Sequence, residues 1–172
     1  MNTKGFARRG GGRHLVAAVL TGVVLGISVQ AAELPRQSIL TLELATKAAL
    51  AALAKCRGQG YTVSVAVVDR GGILKVLTRA DGAGPHTVDS SRRKAYTASS
   101  LRRSTQELAE LVASRPEIQG LRDMNESILI LGGGLPIRMN GEVVGGIGVG
   151  GAPGAKLDEA CARSGLTEIG AL

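Results

Sequence analysis

The sequence predicts an α/β domain in which helices cover the faces of an antiparallel sheet. Residues 61–68 alternate between apolar and small or polar side chains, and they return through the turn at 69–72 as residues 73–78. Asn140-Gly141, a strong hairpin signal, separates two further apolar runs. Helical patterns precede, separate and follow these hairpins. Because strands joined by tight turns run antiparallel, the hairpins predict the sheet and its direction.

Four helices are predicted around these strands. Thr41 caps the first, Pro85 suits the first position of the second, Ser104 with Glu107 forms a capping box for the third, and Gly165 ends the fourth. A stripe of small side chains on the second helix indicates close packing against the sheet. The expected helices cover residues 41–57, 85–102, 104–114 and 155–164.

Three strands are expected in the second half of the chain. Residues 127–131 form an apolar strand, residues 132–136 turn, and residues 137–139 pair with residues 142–149. Ten glycines lie between residues 132 and 154, more than side-chain packing requires. They indicate that a neighbouring element, a subunit or a ligand approaches this backbone closely.

The first 31 residues have the three parts of a secretory signal peptide. Residues 1–14 carry four Lys and Arg and no acidic side chain, residues 15–27 are mostly apolar, and Val29-Gln30-Ala31 provides a cleavage site. The apolar run is short for a membrane span. We expect cleavage before Ala32, one mature domain of residues 32–172, a periplasmic or secreted location, and no membrane contact after cleavage.

The charge of the mature domain argues against nucleic acid as a partner. The whole chain carries 21 Lys and Arg against 14 Asp and Glu, a formal charge of +7. Without the predicted signal peptide, 17 basic and 14 acidic groups remain and the charge falls to +3. Tyr61 and Tyr96 are then the only aromatic residues, whereas nucleic-acid surfaces combine a basic face with stacking rings.

Cys56 and Cys161 are the two cysteines of the chain. An exported protein favours a disulfide between them, but two buried free thiols are equally compatible with the sequence. With one histidine in the mature domain, the cysteines form no zinc-binding pattern.

A glycine-rich loop at residues 81–85 runs into the second helix. Gly82 and Gly84 permit positive φ and leave backbone N–H groups uncovered. A loop of this kind at a helix N-terminus receives anionic ligand groups. His86, the histidine of the mature domain, stands at the same point and makes this loop the candidate site.

Three separated segments resemble a known family. They read VAVVDRGG at residues 65–72, DGAGPH at 81–86 with RKAYTA at 93–98, and GGGLPI, GGIGVGGAPG and DEAC between residues 132 and 161. Together they resemble the GlcG/HbpS-like family, related to the C-terminal domain of PduO-type proteins, over nearly all of the mature chain. The resemblance implies a profilin-like α/β/α fold with a five-stranded antiparallel sheet, homo-oligomers and, for some members, haem binding.

Haem requires an apolar slot, cationic or N–H partners for its propionates and, in many proteins, an axial ligand. His86 is the candidate axial ligand, and Tyr96, Tyr61, Met124 and Met139 are less favourable ones. The simpler alternative for residues 92–94 is a solvated basic face. The candidate haem-binding residues are His86, Gly82, Gly84, Arg92, Arg93 and Tyr96.

The sequence thus predicts an exported, non-enzymatic haem-binding protein that buffers haem or senses redox state. One alternative is an accessory protein that binds small organic acids through the loop N–H groups and Arg93 or Lys94. Another is an enzyme acting on such a ligand. His86, Asp89 and Ser90 resemble a catalytic arrangement, but helix capping and the helix dipole explain three polar residues at a helix start.

Overall fold

The computed structural model of the protein describes residues 1–2 and 32–171, so almost all of the predicted signal peptide lies outside the described residues. The chain divides into Met1–Pro35 and Arg36–Leu172, and the second unit contains the helices and strands given below. Within the described ranges, no helix is both long enough and apolar enough to cross a bilayer.

Four strands form one antiparallel sheet in the order β2-β1-β4-β3. A 3₁₀ helix, Pro116–Arg122, follows the third α-helix. The helices are α1 (Leu42–Gly58), α2 (His86–Leu101), α3 (Thr105–Ser114) and α4 (Ala155–Glu168), and the strands are β1 (Ser64–Asp69), β2 (Leu74–Arg79), β3 (Gly134–Met139) and β4 (Glu142–Gly150).

The sheet lies between two helical layers. Helices α1 and α4 pack against each other and against one face, and α2 packs on the opposite face. Alternation along β1 serves both layers, because Val65 and Val67 join the α1/α4 core while Ala66 and Val68 contact Ala95 of α2. The α/β prediction with helices on both faces is therefore confirmed.

Glycines on β4 allow α2 to lie directly on the sheet. A Cβ added at Gly148 would overlap the carbonyl oxygen of Ser91, and one at Gly146 would overlap the carbonyl oxygen of Ala95. The glycine-rich segment was expected to admit a neighbouring element, a subunit or a ligand. At these two glycines it admits a neighbouring element, helix α2. The predicted stripe of small residues on α2 forms the other side of the contact.

Both hairpins and two helix caps are confirmed. Asn140 and Gly141 have φ of 50° and 81° between β3 and β4, as a two-residue hairpin turn requires. The Thr41 Oγ1 accepts a hydrogen bond from the Leu44 N–H at 3.3 Å. The Ser104 Oγ accepts one from the N–H of Glu107 at 3.0 Å.

The prediction of a fifth strand is wrong. Residues 127–131 do not join the sheet, because side chains of α2 take their backbone groups. The Leu129 N–H donates to Thr97 Oγ1 at 2.8 Å, and the Arg93 guanidinium donates to the carbonyl oxygen of Ile128 at 2.6 Å. The apolar run that suggested a strand instead places Ile128 and Ile130 in a small core with α3.

Two strand boundaries also differ from prediction. The Tyr61 N–H donates to the Cys56 carbonyl oxygen at 3.0 Å and closes the end of α1, so β1 begins only at Ser64. Strand β3 begins at Gly134, so Pro136 belongs to a strand and not to a turn. Proline is tolerated there because β3 is an edge strand.

The expected helix end at Gly165 is also wrong. Helix α4 continues to Glu168, and a Cβ at Gly165 would lie 2.5 Å from the carbonyl oxygen of Ala48 in α1. Gly165 therefore provides close packing between two helices and not a helix stop.

A disulfide joins the same two helices. Cys56 of α1 and Cys161 of α4 are bonded and fully buried, and they are 105 positions apart in sequence. The structure thus decides between the two alternatives that the sequence left open.

We expect Gly148→Ala to lower the free energy of unfolding by about 1–3 kcal/mol, because the added methyl group forces α2 away from the sheet. Urea unfolding followed by circular dichroism measures the change. Gly58→Ala is the matched control, since a Cβ there has no atom within 4 Å. Equal stability of Gly148→Ala and wild type would contradict the close contact.

We expect Cys161→Ala to lower the free energy of unfolding by about 2–5 kcal/mol, because loss of the crosslink frees the unfolded chain. Unfolding with and without a reductant measures the effect. Reductant should destabilise the wild type and leave the variant unchanged. Two titratable thiols in the unreduced, denatured wild type would rule out the bond.

Candidate functional site

A cleft of about 330 Å³ opens where the N-termini of α2 and α4 approach each other. We call it the His86 cleft. One wall comes from α2, the opposite wall from the loop between β4 and α4, and Leu131 closes one side. Its polar and charged lining residues are His86, Ser90, Lys94 and Asp158.

His86 lies at the mouth of this cleft. It is the first residue of α2, and it is exposed. Its ring lies against the backbone of Gly84, because a Cβ there would come within 2.6 Å of the His86 Cε1. Gly84 therefore makes room for the imidazole, while Gly82 has the positive φ of 83° that the sequence suggested.

The loop before α2 is partly closed on itself. The Ala83 N–H donates to the carbonyl oxygen of Ala80 at 3.0 Å, and the Ala83 carbonyl oxygen accepts from the Arg79 Nε at 2.9 Å. Within the described part of the chain, the N–H groups of Gly82 and Gly84 have no such acceptor. The two glycine amides that the sequence predicted to be uncovered thus stay available to a ligand.

A buried ion pair forms the floor of the cleft. The Lys94 Nζ lies 2.8 Å from the Asp158 Oδ2, and the two side chains are 3% and 5% exposed. The Lys94 Nζ also donates to the Val149 carbonyl oxygen at 2.9 Å. The second oxygen of Asp158 accepts from the Ala152 N–H at 3.0 Å, so one carboxylate holds both α2 and the loop after β4.

The environment of Asp158 shifts its pKa in two opposite directions. Burial raises the pKa of Asp158 above its ordinary value, and the Lys94 ammonium and the N–H groups of Ala152 and Gly151 offset part of this rise. Its place in the first turn of α4 also suits a carboxylate. Lys94 is held by two acceptors and acts as a structural cation here, which leaves it unavailable to a small carboxylate.

Gly133 allows the chain to pass over this ion pair. Its φ is +116°, and an added Cβ would lie 2.7 Å from the Asp158 Cβ and 3.0 Å from the Lys94 Nζ. Any larger residue there would collide with both partners.

Arg92 and Arg93 lie beside the cleft and do not line it. Arg92 pairs with Asp89 at 3.1 Å. Arg93 lies 3.7 Å from the same carboxylate and donates to the Ile128 carbonyl oxygen at 2.6 Å. Both guanidinium groups therefore already have partners within the protein.

Tyr96 is placed away from the cleft. Its ring packs over Gly72 and against the small core that contains Leu108, Val112 and Ile128. The structure thus places His86 at the cleft, with Gly82 and Gly84 in the adjoining loop, and separates Arg92, Arg93 and Tyr96 from it. Their roles in ligand binding stay predictions.

Sequence reasoning did not identify Asp158 as part of the site. It is 64 residues from Lys94, and no local pattern couples the two. The available signal was an acidic residue in the first turn of a helix that follows a glycine-rich loop, but the helix dipole alone explains such a residue.

These features define a small α/β domain with a ligand-sized cleft at two helix N-termini. A family model described as "Haem degrading protein HbpS-like" matches residues 40–167. The chain therefore belongs to the HbpS-like family, and the resemblance seen in the sequence is confirmed.

Three known proteins show how far the likeness extends. A double mutant of HbpS from Streptomyces reticuli is 45% identical, with 85% of this chain and 97% of that chain covered and a TM-score of 0.74. Protein GlcG of Escherichia coli is 32% identical over 111 residues, 64% of this chain and 81% of GlcG. The chain of a PduOC–haem complex is 24% identical, with 78% of this chain and 98% of that chain covered and a TM-score of 0.73. At this identity it supports the shared fold.

We expect Lys94→Met to lower the free energy of unfolding by about 3–5 kcal/mol, because it leaves the Asp158 carboxylate buried without its cation. Lys47→Met is the matched control: its ion pair with Glu168 is about half exposed and contributes at most about 1 kcal/mol. Urea unfolding measures both variants. Similar losses of unfolding free energy in the two variants would show that the buried pair contributes no more than an exposed one.

Proposed function

We propose that this protein binds haem at the His86 cleft, with the His86 imidazole as axial ligand. The observation that carries the proposal is an exposed imidazole at the mouth of a cleft between two helix N-termini. Membership of a family described by its action on haem supports the choice of ligand.

The residues of the cleft fit such a ligand. The His86 side chain makes no hydrogen bond or ion pair with other described residues, so a ring nitrogen is available to iron. Leu131, Ala152 and Pro153 offer apolar surface to a macrocycle. Bound haem supplies an iron centre for ligand exchange and redox chemistry.

The two helix N-termini suit the propionates. Neither Pro85 nor Gly154, the cap residues of α2 and α4, makes a side-chain capping bond. Later first-turn N–H groups donate to the carbonyl oxygens of residues 84, 85 and 154, which leaves the N–H groups of residues 86, 155 and 156 without an acceptor among the described residues. Helix dipoles favour negative charge at these positions. Because Arg92 and Arg93 already have partners, the backbone is the better candidate for this role.

The size of the cleft favours assembly of several copies. At about 330 Å³ it is at the lower end of the range for ligand cavities, so it holds an edge of a tetrapyrrole and not the whole ring. Ile73, Leu74 and Leu77 are also exposed on or beside the edge strand β2, where they offer apolar contacts. We therefore include homo-oligomers in the proposal.

An exported location fits the chemistry of the chain. A buried disulfide between Cys56 and Cys161 persists in oxidising compartments and is rare in reducing ones. With the signal peptide that the sequence predicts, it supports a periplasmic or secreted protein that buffers haem or responds to its redox state.

Two other functions use the same cleft. The helix N-termini would also attract the carboxylate of a small organic acid. The family description adds degradation of haem as a second candidate. Both alternatives are separated from simple haem binding by the experiment that follows.

We expect haem titration to give a saturable Soret band, and His86→Ala to weaken haem affinity about tenfold or more through loss of the axial ligand. Added imidazole should restore the spectrum of His86→Ala, which a merely structural role would not allow. Asp81→Asn, in the same loop, is the control. An unchanged spectrum and affinity in His86→Ala would refute ligation by His86.

A time course then distinguishes binding from degradation. A buffering protein keeps its Soret band when hydrogen peroxide is added at low concentration, whereas a degrading enzyme loses the band and releases iron to a chelator. If haem never saturates but acetate shifts the thermal midpoint, and His86→Ala abolishes that shift, the organic-acid alternative is favoured.

A further inference from the structure

A second cleft lies between the C-terminus of α2, the N-terminus of α3, strand β3 and helix α4. Its volume is about 360 Å³, and it shares no lining residue with the His86 cleft. We call it the arginine cleft. Its charged lining residues are Arg102, Arg103, Arg138, Arg163, Glu107 and Glu159.

These charges do not cancel. Arg163 pairs with Glu159 at 2.8 Å. Among the described residues, Arg102, Arg103 and Arg138 have no carboxylate within ion-pair distance. Four guanidinium groups against two carboxylates leave the cleft with two excess positive charges.

Arg102 has a conformation that its residue type does not favour. It ends α2 with φ 56° and ψ 29°, in the left-handed region. Glycine or asparagine usually occupies such a helix end, because a Cβ is strained there. The backbone conformation alone therefore does not explain an arginine at this position. A function of the guanidinium group would offset the cost of the strain.

Strand β3 holds this strained residue in place. The Arg138 guanidinium donates to the Arg102 carbonyl oxygen at 2.8 Å. Part of the role of Arg138 is thus to cap the C-terminus of α2, where a cation is favourable. The same dipole favours the charges of Arg102 and Arg103, but among the described residues neither guanidinium group makes a hydrogen bond or an ion pair.

Helix α3 adds to the positive potential of the cleft. Its N-terminus begins at the cap residue Ser104, which lines the cleft next to Arg103. The partial positive charge of this ten-residue helix therefore acts in the same direction as the arginines.

We propose that the arginine cleft is a second binding site, for a small anion that carries carboxylate or phosphate groups. Planar guanidinium groups bind both kinds of oxyanion through paired N–H donors. The ligand here is distinct from the haem proposed for the His86 cleft, and the two proposals stand or fall separately.

Calorimetric titration at constant ionic strength tests the site, with inorganic phosphate in one arm and malonate in the other. We expect saturable binding in at least one arm, and the tighter arm identifies the class of anion. Affinity should fall as ionic strength rises, because the site is open to solvent.

Arg102→Gly separates binding from folding. Glycine relieves the left-handed strain, so the thermal midpoint should stay equal or rise, while anion affinity falls about tenfold. Arg103→Gln should weaken binding similarly. Arg57→Gln, which removes one exposed charge at the end of α1, is the matched control and should bind as wild type does.

Three results would overturn the proposal. One is the absence of saturable binding in both arms. Another is wild-type affinity in Arg102→Gly and Arg103→Gln. The third is an equal loss in Arg57→Gln, which would show that the anion responds only to the overall charge of the protein.

Discussion

The buried ion pair between Lys94 and Asp158 is the contact on which the site depends. It joins α2 to the start of α4, and its remaining bonds hold Val149 and Ala152 on either side of the loop after β4. Two charges removed from water are costly unless each is well paired, so this arrangement leaves little freedom to the elements around it. The cleft has its shape because these three elements are tied at one point.

The glycines of β4 make that contact possible. Without side chains at Gly146 and Gly148, the backbone of α2 reaches the sheet, and Lys94 then lies close enough to the end of β4 to meet Asp158. The same approach sets the first turn of α2, and with it His86, beside the first turn of α4. Two helix N-termini therefore open into one cleft, which is the electrostatic basis for an anionic ligand.

Local chemistry made much of the fold predictable. Asn140-Gly141, Thr41 and Ser104 act on their immediate neighbours, so the hairpin and the helix caps followed from short patterns. Residues 127–131 were mistaken for a strand because a run of apolar residues does not reveal where backbone hydrogen bonds go. Here Thr97 and Arg93 take those bonds, and both residues are about 30 positions away in sequence.

The sequence by itself determined the antiparallel hairpins, the capped helices, the glycine-rich surface of β4 and the position of His86 at a helix start. Each of these depends on residues a few positions apart. Only the tertiary structure decided that Cys56 meets Cys161, that Asp158 neutralises Lys94, and that Tyr96 lies away from His86. These relations depend on how helices pack across the sheet, and that packing joins residues which no local pattern connects.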